Sequence, residues 1–584
     1  MLLQEAGLEA GGMIAFWLMF AGYLIFLAVA GLWAKRKTET LEDFMVAGRK
    51  IGPLLLGLSF GVTYFSAVMI VGGGQFSWLW GIGVVWVASI DVLVGVFLVF
   101  TLFGSRTKRL GEHFDSMTVP QFLSKRYEEP KLQTFTSIVI LVFETIYLVS
   151  IYMGLSLLLE VTMGGLGDVA YIVAVMICGG ITIVYLNVGG AHGAIVTDAA
   201  ESIIMLVGVL FIFFFGLVAV GGVGGFLGTL GDIEQAEGMG QGALTTFTGA
   251  GGFGVIGYIL VTSFGVWGMP QMISRFYTAE RGRRRTIKWG LVASCVWAFV
   301  VAIFAWFNGA ISRAYFFEHD KATYDVIAAG AGESAIPYLM IGVLPAVLVG
   351  LFMAAITAAS LTTGEKVIMM AASGFSIDVY QAKTGASDDK TLKVTKITTT
   401  AVVVLAVIFA LTKPAAVLAL CMFAWAAMAS TILVPYVFGL FWKGGTSKAA
   451  IWSGAVALIS AVLWFILFRG GQQFWGAFGL TYPVDTLGKA AGFQLLSFKF
   501  LDLYPVTITV GSIHEFIVSQ VAAVIAFPLI SHFTKGSRPA KEFLNEIFAV
   551  MSQKEEEEVV PSSDIPSPKK VKKEFKESEA SQSG

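Results

Sequence analysis

Long apolar runs are the feature that most constrains the fold of this chain. We predict about thirteen runs of roughly twenty residues, each long enough to cross a bilayer as a helix. In hydrocarbon only helices and closed barrels satisfy the backbone, and runs of this length are typical of helices. The sequence therefore predicts an all-α polytopic membrane protein. The runs lie near residues 12–34, 53–76, 82–104, 132–162, 168–187, 195–220, 252–277, 287–311, 335–364, 395–412, 415–442, 448–468 and 511–533.

The composition supports a membrane protein and excludes several other classes. Hydrophobic residues make up 56% of the 584 residues and charged residues 14%, with a mean hydropathy of +0.78, whereas soluble domains carry about 25% charged residues. The net charge of −1 gives no indication of a nucleic-acid partner. Cys178, Cys295 and Cys421 lie in three different apolar runs, so we predict neither a disulfide framework nor a thiolate metal site.

Basic residues indicate the orientation of the chain. Lys and Arg collect after runs 1, 3, 7, 9, 11 and 13, whereas the segments after even-numbered runs are glycine-rich or acidic. Basic loops stay in the cytoplasm. We therefore expect a multi-pass plasma-membrane protein with its amino terminus outside and its carboxyl terminus in the cytoplasm. The segment 188–194 does not contribute to this pattern, because it is uncharged.

The segment 535–584 differs in composition from the rest of the chain. It contains Glu555–Glu558, several Pro and Ser residues and a lysine cluster at 569–573. Such a sequence buries too little apolar area to fold. We predict a disordered cytoplasmic tail, with contact between the lysines and anionic lipid as the less favoured alternative.

The second run combines apolar residues with features that weaken a helix. Glycine recurs through Gly57–Gly74, and Thr63, Tyr64 and Ser66 lie at its middle. One interpretation is close packing between helices. The other is a helix that unwinds inside the protein and frees carbonyl oxygens for a small cation.

The ninth run carries hydroxyls on one face. Ala359, Thr362 and Thr363 are spaced i, i+3 and i+4, which places a small residue beside two hydroxyls. Hydroxyls in helices often bond to their own i−4 carbonyl. Hard cations, however, prefer oxygen ligands, and together with the broken second run this face favours a cation site.

Ionisable residues within membrane segments are expensive and usually face protein or water. The sequence places Asp91, Glu144, Glu160 and Asp198 in such segments. Asp198 follows a glycine-rich segment that we predict to be a turn leading into a helix. It either caps that helix or attracts and relays a cation at the inner mouth.

Short motifs occur in a fixed order along most of the chain. They are Phe44–Arg49; Thr63–Ala67 with Gly72–Gly74; Thr118–Leu123 with Arg126 and Tyr127; Gly189 and Gly190 with Thr197 and Asp198; Pro270 with Arg275 and Phe276; Ala358–Thr363 with Ser373 and Asp378–Tyr380; and Pro435 with Leu440–Lys443. In these motifs the chain resembles the sodium:solute symporter family, within the larger group that shares an inverted repeat of five plus five helices.

The resemblance implies an organisation for the chain. The first run and a cytoplasmic link would occupy residues 1–51, the two five-helix repeats 52–221 and 252–443, peripheral helices 444–534, and the tail 535–584. It also implies a sodium ion between the repeats. The implied ligands are the carbonyls of Val62, Phe65 and Ala359 and the hydroxyls of Thr362 and Thr363, while Asp198 would correspond to the family's acidic residue in ion passage.

The resemblance also implies a solute site beside the broken helix. The chain departs from the proline-carrying branch at Tyr64, where that branch has an aspartate, and at Thr262 and Val266, where it has aromatics. Trp267 and Pro270 are similar to the branches that carry pantothenate and organic acids. The expected solute is therefore an organic acid, a pantothenate-like molecule or an amino acid. The expected lining residues are Tyr64, Ser66, Tyr147, Thr262, Val266, Trp267 and Pro270.

We therefore expect sodium-coupled import of a small organic solute by alternating access, with the solute and membrane lipid as partners and no obligatory protein partner. The alternatives are proton coupling through Asp91, Glu144, Asp198 or Glu201 in the same fold and, less favoured, a channel or sensor. An enzyme would need a nucleophile–base pair or a metal-ligand cluster. We find no such set, because the chain has only five histidines and none is at the middle of a run.

Overall fold

The computed structural model describes residues 40–65, 67–163, 168–246, 249–281, 285–414, 417–469, 494–499 and 505–552, with residue 492 and scattered positions between 14 and 29. At 184–196 and a few other positions it describes the backbone alone. The predicted first run, 12–34, and residues 553–584 therefore lie largely or wholly outside the described residues.

The first half of the described chain is helical throughout. Its helices are α1 (Leu41–Val46), α2 (Pro53–Tyr64), α3 (Ala67–Trp80), α4 (Ile82–His113, π-helical over Asp91–Gly104), α5 (Val119–Tyr127), α6 (Pro130–Met163), α7 (Asp168–Ala219) and α8 (Gly222–Ala236).

The second half adds more helices and one small hairpin. Its elements are α9 (Phe253–Gly265), α10 (Pro270–Ile273), α11 (Arg275–Thr278), α12 (Arg285–His319), α13 (Lys321–Ala329), α14 (Ala335–Val343), α15 (Ala346–Phe375), α16 (Asp388–Leu411), α17 (Val417–Phe441), α18 (Ser447–Trp464), the antiparallel strands β1 (Gln494–Lys499) and β2 (Pro505–Thr509), α19 (Glu515–Phe533) and α20 (Lys541–Ser552).

The number of membrane crossings is only partly established. Among the described residues, eight helices are long and apolar enough to span a bilayer, and two bent pairs bring the number to ten if each pair is one span. The predicted count of thirteen is not confirmed. The fifth predicted run, 168–187, lies within the first part of α7, where Val169–Ile183 is apolar.

Two helices are broken at comparable places in the predicted repeats. The halves α2 and α3 are inclined by 49°, and the segments 253–268 and 270–278 by 53°. The first break was predicted from glycine and hydroxyl content. The second follows from Pro270, because proline lacks an N–H and disfavours helical backbone at the preceding residue. Met269 is accordingly extended, with φ −79° and ψ 121°.

Two boundary predictions are wrong. The backbone is helical through Gly189 and Gly190, so the predicted glycine-rich turn is part of α7. The predicted ninth run, 335–364, is two helices, because the chain breaks at Leu344 and Pro345. The second of them, α15, continues to Phe375, so residues that follow the predicted run remain helical and buried.

The prediction of disorder from residue 535 onward is wrong for its first part. Helix α20 covers Lys541–Ser552 and buries Leu544, Ile547 and Met551. Its last turn is held to α4, because Arg109 donates from Nη1 to the carbonyl of Met551 at 2.9 Å. The apolar residues recur at helical spacing within a charged segment, and the average composition of the tail conceals this pattern.

Helix α12 packs along α2 and α3 at positions where small residues allow close approach. A Cβ atom added at Gly309 would overlap the carbonyl oxygen of Gly74 on α3. Because backbone must shift to relieve this overlap, we expect Gly309→Ala to destabilise the protein by about 1–3 kcal/mol. Gly180→Ala is the matched control, since a Cβ there meets open space. Melting temperatures of the two purified variants test this; equal values would contradict the packing.

Candidate functional site

Helix α15 packs against both halves of the first broken helix, so the two segments predicted to bind sodium meet. Thr362 and Thr363 are buried, at 0% and 1% exposure, and Ala359 is equally buried. The predicted residues of the other segment, Val62 and Phe65, are buried too. The threonine pair therefore faces protein.

The break in the first helix leaves main-chain oxygens near its end. Helix α2 ends at Tyr64, and Phe65 has non-helical backbone angles, φ −92° and ψ 66°. The N–H of Phe65 donates to Gly61 at 2.8 Å. The carbonyl of Val62 belongs to the last turn, where carbonyls lack partners within their own helix. Ser66 lies outside the described residues.

The two threonine hydroxyls have different surroundings. Thr362 donates from Oγ1 to Glu201 Oε2 at 2.6 Å. The hydroxyl of Thr363 is buried and has no hydrogen-bond partner within the described part of the chain. A buried hydroxyl without a partner is destabilising. Thr362 uses its proton alone, whereas Thr363 uses neither its proton nor its oxygen lone pairs among the described residues.

Asp198 is part of a buried charged cluster. It accepts a hydrogen bond from Ser59 on α2 at 2.5 Å and forms an ion pair with Lys366 on α15. Arg275 on α11 donates from Nη1 to the same Ser59 hydroxyl at 3.2 Å. All of these residues are buried. Asp198 therefore joins three elements and is paired with a cationic side chain.

Sequence reasoning missed two members of this cluster. Glu365 and Lys366 are separated from the threonines only by Gly364, where the predicted run ended. Both are 1% exposed, and the carboxylate oxygens of Glu365 have no hydrogen-bond partner among the described residues. The signal was a Glu–Lys pair shortly after the two threonines and within the same helix, which a hydropathy window treats as the end of an apolar run.

An aromatic cluster lies at the break. The Trp425 ring on α17 is centred 6.1 Å from Tyr64, nearly parallel to it, and 5.8 Å from Tyr147, nearly perpendicular. The Tyr64 hydroxyl donates to the carbonyl of Thr262 at 2.8 Å. Tyr64 and Tyr147, which the sequence suggested separately, are thus brought together by Trp425, which it did not suggest, and Thr262 joins them through Tyr64.

The remaining predicted solute residues lie along the second broken helix. Thr262 donates to Asp91 Oδ1 at 2.7 Å, so its hydroxyl is already bonded. Trp267 donates from its indole to the carbonyl of Val94 on α4 at 3.1 Å. Val266 and Pro270 are buried on either side of the bend. Trp267 therefore stabilises the contact with α4, and the contacts that the structure gives it do not include the aromatic cluster.

Residues of the motif at 118–127 form hydrogen bonds with residues of two later motifs, at 378 and at 435–439. Thr118 donates to Asp378 Oδ1 at 2.8 Å, which links α5 to the π-helical segment Ser376–Gln381 that follows α15. Arg126 donates to the carbonyl of Gly439 at 2.6 Å, and Tyr127 to that of Pro435 at 2.7 Å. The Gly439 carbonyl lies in the last turn of α17, where a helix lacks partners of its own, and the Tyr127 bond adds a second link one turn earlier.

The family model described as the sodium:solute symporter family matches residues 44–457. The chain belongs to the sodium:solute symporter family. Its relatives include the osmoregulated proline transporter OpuE of Bacillus subtilis (strain 168), 24% identical over 76% of this chain and 87% of that protein. They also include the sodium/pantothenate symporter of Haemophilus influenzae, 24% identical over 76% and 88%. The sodium/proline symporter of Staphylococcus aureus (strain JH9) is 26% identical over 82% and 93%.

Among solved structures, the chain is similar to a Na⁺-coupled sialic acid symporter in a substrate-bound outward-open state. The TM-score is 0.67 at 16% identity, and the match covers 89% of this chain and 97% of that one. This likeness shows the fold. As a member of the symporter family, the protein is a multi-pass plasma-membrane transporter that couples sodium to a small solute, and it is not an enzyme.

Proposed function

We propose that sodium binds where α15 crosses the break between α2 and α3. The ligands are the carbonyls of Val62, Phe65 and Ala359 and the hydroxyls of Thr362 and Thr363. The observation that carries this proposal is the buried Thr363 hydroxyl, which has no partner in the described part of the chain and lies on the helix that packs against the break. Neutral oxygens suit a monovalent cation that must also leave.

The ion acts in this proposal as a tie between the two five-helix repeats, residues 52–221 and 252–443. It orders the end of α2 and holds the outward-facing arrangement while solute enters. Loss of the ion to the cytoplasm loosens the crossing, and solute follows. Asp198 supports the crossing, because its carboxylate joins Ser59 on α2 to Lys366 on α15, and it favours a cation on the inward path.

The available driving force suits accumulation of a solute. One charge crossing 100 mV contributes about 2.3 kcal/mol, and a tenfold sodium gradient adds about 1.4 kcal/mol. The sum of about 3.7 kcal/mol sustains a roughly few-hundred-fold gradient of a neutral solute. A single coupled ion is therefore sufficient for concentrative import.

We place the solute beside the aromatic cluster, between Tyr64 and Tyr147, with Ser66, Thr262, Val266, Trp267 and Pro270 on the same broken segments. The amino terminus is assigned to the outside and the carboxyl terminus to the cytoplasm, on the distribution of Lys and Arg. The solute and membrane lipid are the partners that this function requires.

Proton coupling is the second candidate, because the carboxyls of Glu144 and Glu365 are buried without hydrogen-bond partners among the described residues. Proteoliposomes distinguish the two candidates. We expect uptake of radiolabelled proline or pantothenate to require an inward sodium gradient and to fall at least tenfold when potassium replaces sodium. Uptake that persists in potassium and follows an imposed proton gradient would support the second candidate.

A further inference from the structure

Glu144 on α6 is a buried acid that the sodium site does not use. It is 0% exposed, and neither carboxylate oxygen has a hydrogen-bond partner among the described residues. A charged group in such surroundings is strongly destabilising unless an opposite charge accompanies it. Glu144 is therefore either protonated and neutral, or its negative charge is compensated by a cation that comes from outside the described part of the chain.

The described basic side chains near the membrane interior are bound to other groups. Lys366 pairs with Asp198, and Arg275 binds Ser59. Arg469 pairs with Glu515 at 2.9 Å. None of the ion pairs described in the structure includes Glu144, so the described part of the chain does not supply its counter-charge.

Glu144 lies beside the aromatic cluster. Glu144 and Tyr147 are one helical turn apart on α6, so they lie on one side of that helix. The Tyr147 ring contacts the Trp425 ring, with the ring centroids 5.8 Å apart. The carboxylate is thus one turn along the same helix interface from the aromatic rings.

The cluster contains a second buried polar group without a partner. Trp425 is 1% exposed, and its Nε1–H has no hydrogen-bond acceptor within the described residues. An acceptor without a donor and a donor without an acceptor therefore lie on adjacent turns of one interface. The rings of Tyr64 and Tyr147 pack against the Trp425 ring at this interface, and aromatic faces attract cations.

We propose that Glu144 is the counter-charge for a cationic nitrogen in the transported solute. An amine or quaternary ammonium group faces Glu144 and the aromatic rings, and an acceptor oxygen of the solute takes the indole N–H of Trp425. This inference rests on the proposed transport function and narrows its solute class from organic acids in general to cationic or zwitterionic nitrogen compounds.

The position also connects the solute to the coupling ion. Tyr64 is the last residue of α2, and Phe65, whose carbonyl is proposed as a sodium ligand, follows it directly. A solute that packs against the Tyr64 ring therefore orders the same turn that sodium orders. When either one binds, the turn is already ordered, so the entropy cost of binding the other is smaller. The affinities of solute and sodium are therefore positively coupled.

Matched pairs of solutes test the inference, because replacing nitrogen by carbon removes the charge and keeps the shape. The pairs are L-proline with cyclopentanecarboxylate, glycine betaine with 3,3-dimethylbutyrate, and choline with 3,3-dimethylbutan-1-ol. Thermal stabilisation of the full-length purified protein is measured in sodium chloride. We expect at least one nitrogen compound to stabilise the protein at concentrations at least thirtyfold below its carbon counterpart, and Glu144→Gln to abolish this preference.

Glu160→Gln is the matched control, because Glu160 lies on the same helix, further along it than the aromatic cluster, and is partly exposed. It should leave the preference unchanged. The inference is overturned if both members of every pair stabilise the protein equally, if only the carbon compounds do, or if none of the six does. It is also overturned if the preference for nitrogen survives in Glu144→Gln. Stabilisation by sodium over potassium without solute is measured separately. If sodium does not stabilise the unmodified protein more than potassium does, that result counts against the proposed sodium site and not against the role of Glu144.

Discussion

Replacing Asp198 by Asn is expected to destabilise the folded transporter by about 3–5 kcal/mol, because removal of one partner leaves the other buried charge uncompensated. Lys366 is 1% exposed, and its ammonium is paired with Asp198 in the membrane interior. Lys366→Met should have a comparable effect for the converse reason. The measurement is the apparent melting temperature of each purified variant, together with its yield from membranes.

The double variant Asp198→Asn with Lys366→Met separates the ion pair from the general importance of either position. Replacing both members of a buried pair is often nearly neutral, so the double variant should regain most of the lost stability. Additive losses would show that the two residues act independently and would contradict the pairing. We expect the recovered protein to remain defective in sodium-driven uptake, because Asp198 no longer contributes its charge beside the crossing.

Local patterns were enough to predict the elements on which the site is built. The break at Phe65 follows from glycines and hydroxyls within one turn of each other, and the shared face of Ala359, Thr362 and Thr363 follows from helical spacing. Both patterns depend on residues that are neighbours in the chain. Neither requires knowledge of how the helices pack.

Contacts between distant segments could not be predicted in the same way. Trp425 joins Tyr64 and Tyr147, yet its own run contains nothing that separates it from an ordinary core tryptophan. Lys366 was missed because a hydropathy window ends a span at the first charge, and only the partner on α7 makes that charge tolerable inside the protein. Helix α20 was missed because its three buried residues are diluted by charged neighbours.

Replacing Thr363 by Val is expected to raise the sodium concentration for half-maximal stabilisation at least tenfold. The substitution keeps the branched shape and removes only the hydroxyl, and loss of one oxygen ligand or hydrogen bond is equivalent to about 1–1.5 kcal/mol, or about tenfold in affinity. Because this hydroxyl has no partner to lose in the described structure, the variant should fold as well as the parent. The measurement is a sodium titration of the melting temperature against a constant total of sodium and potassium chloride.

Two further variants test whether the effect of Thr363→Val on sodium binding comes from loss of the hydroxyl oxygen where α15 crosses the break in the first helix. Thr363→Ser keeps the oxygen and should bind sodium nearly as the parent does. Thr362→Val removes a hydroxyl that donates to Glu201 at 2.6 Å, so it should lower stability in potassium as well as in sodium. An unchanged sodium titration for Thr363→Val would place the ion elsewhere. A Thr363→Ser protein as weak as Thr363→Val would mean that the site depends on the shape of the side chain rather than on its oxygen, since serine lacks only the methyl group.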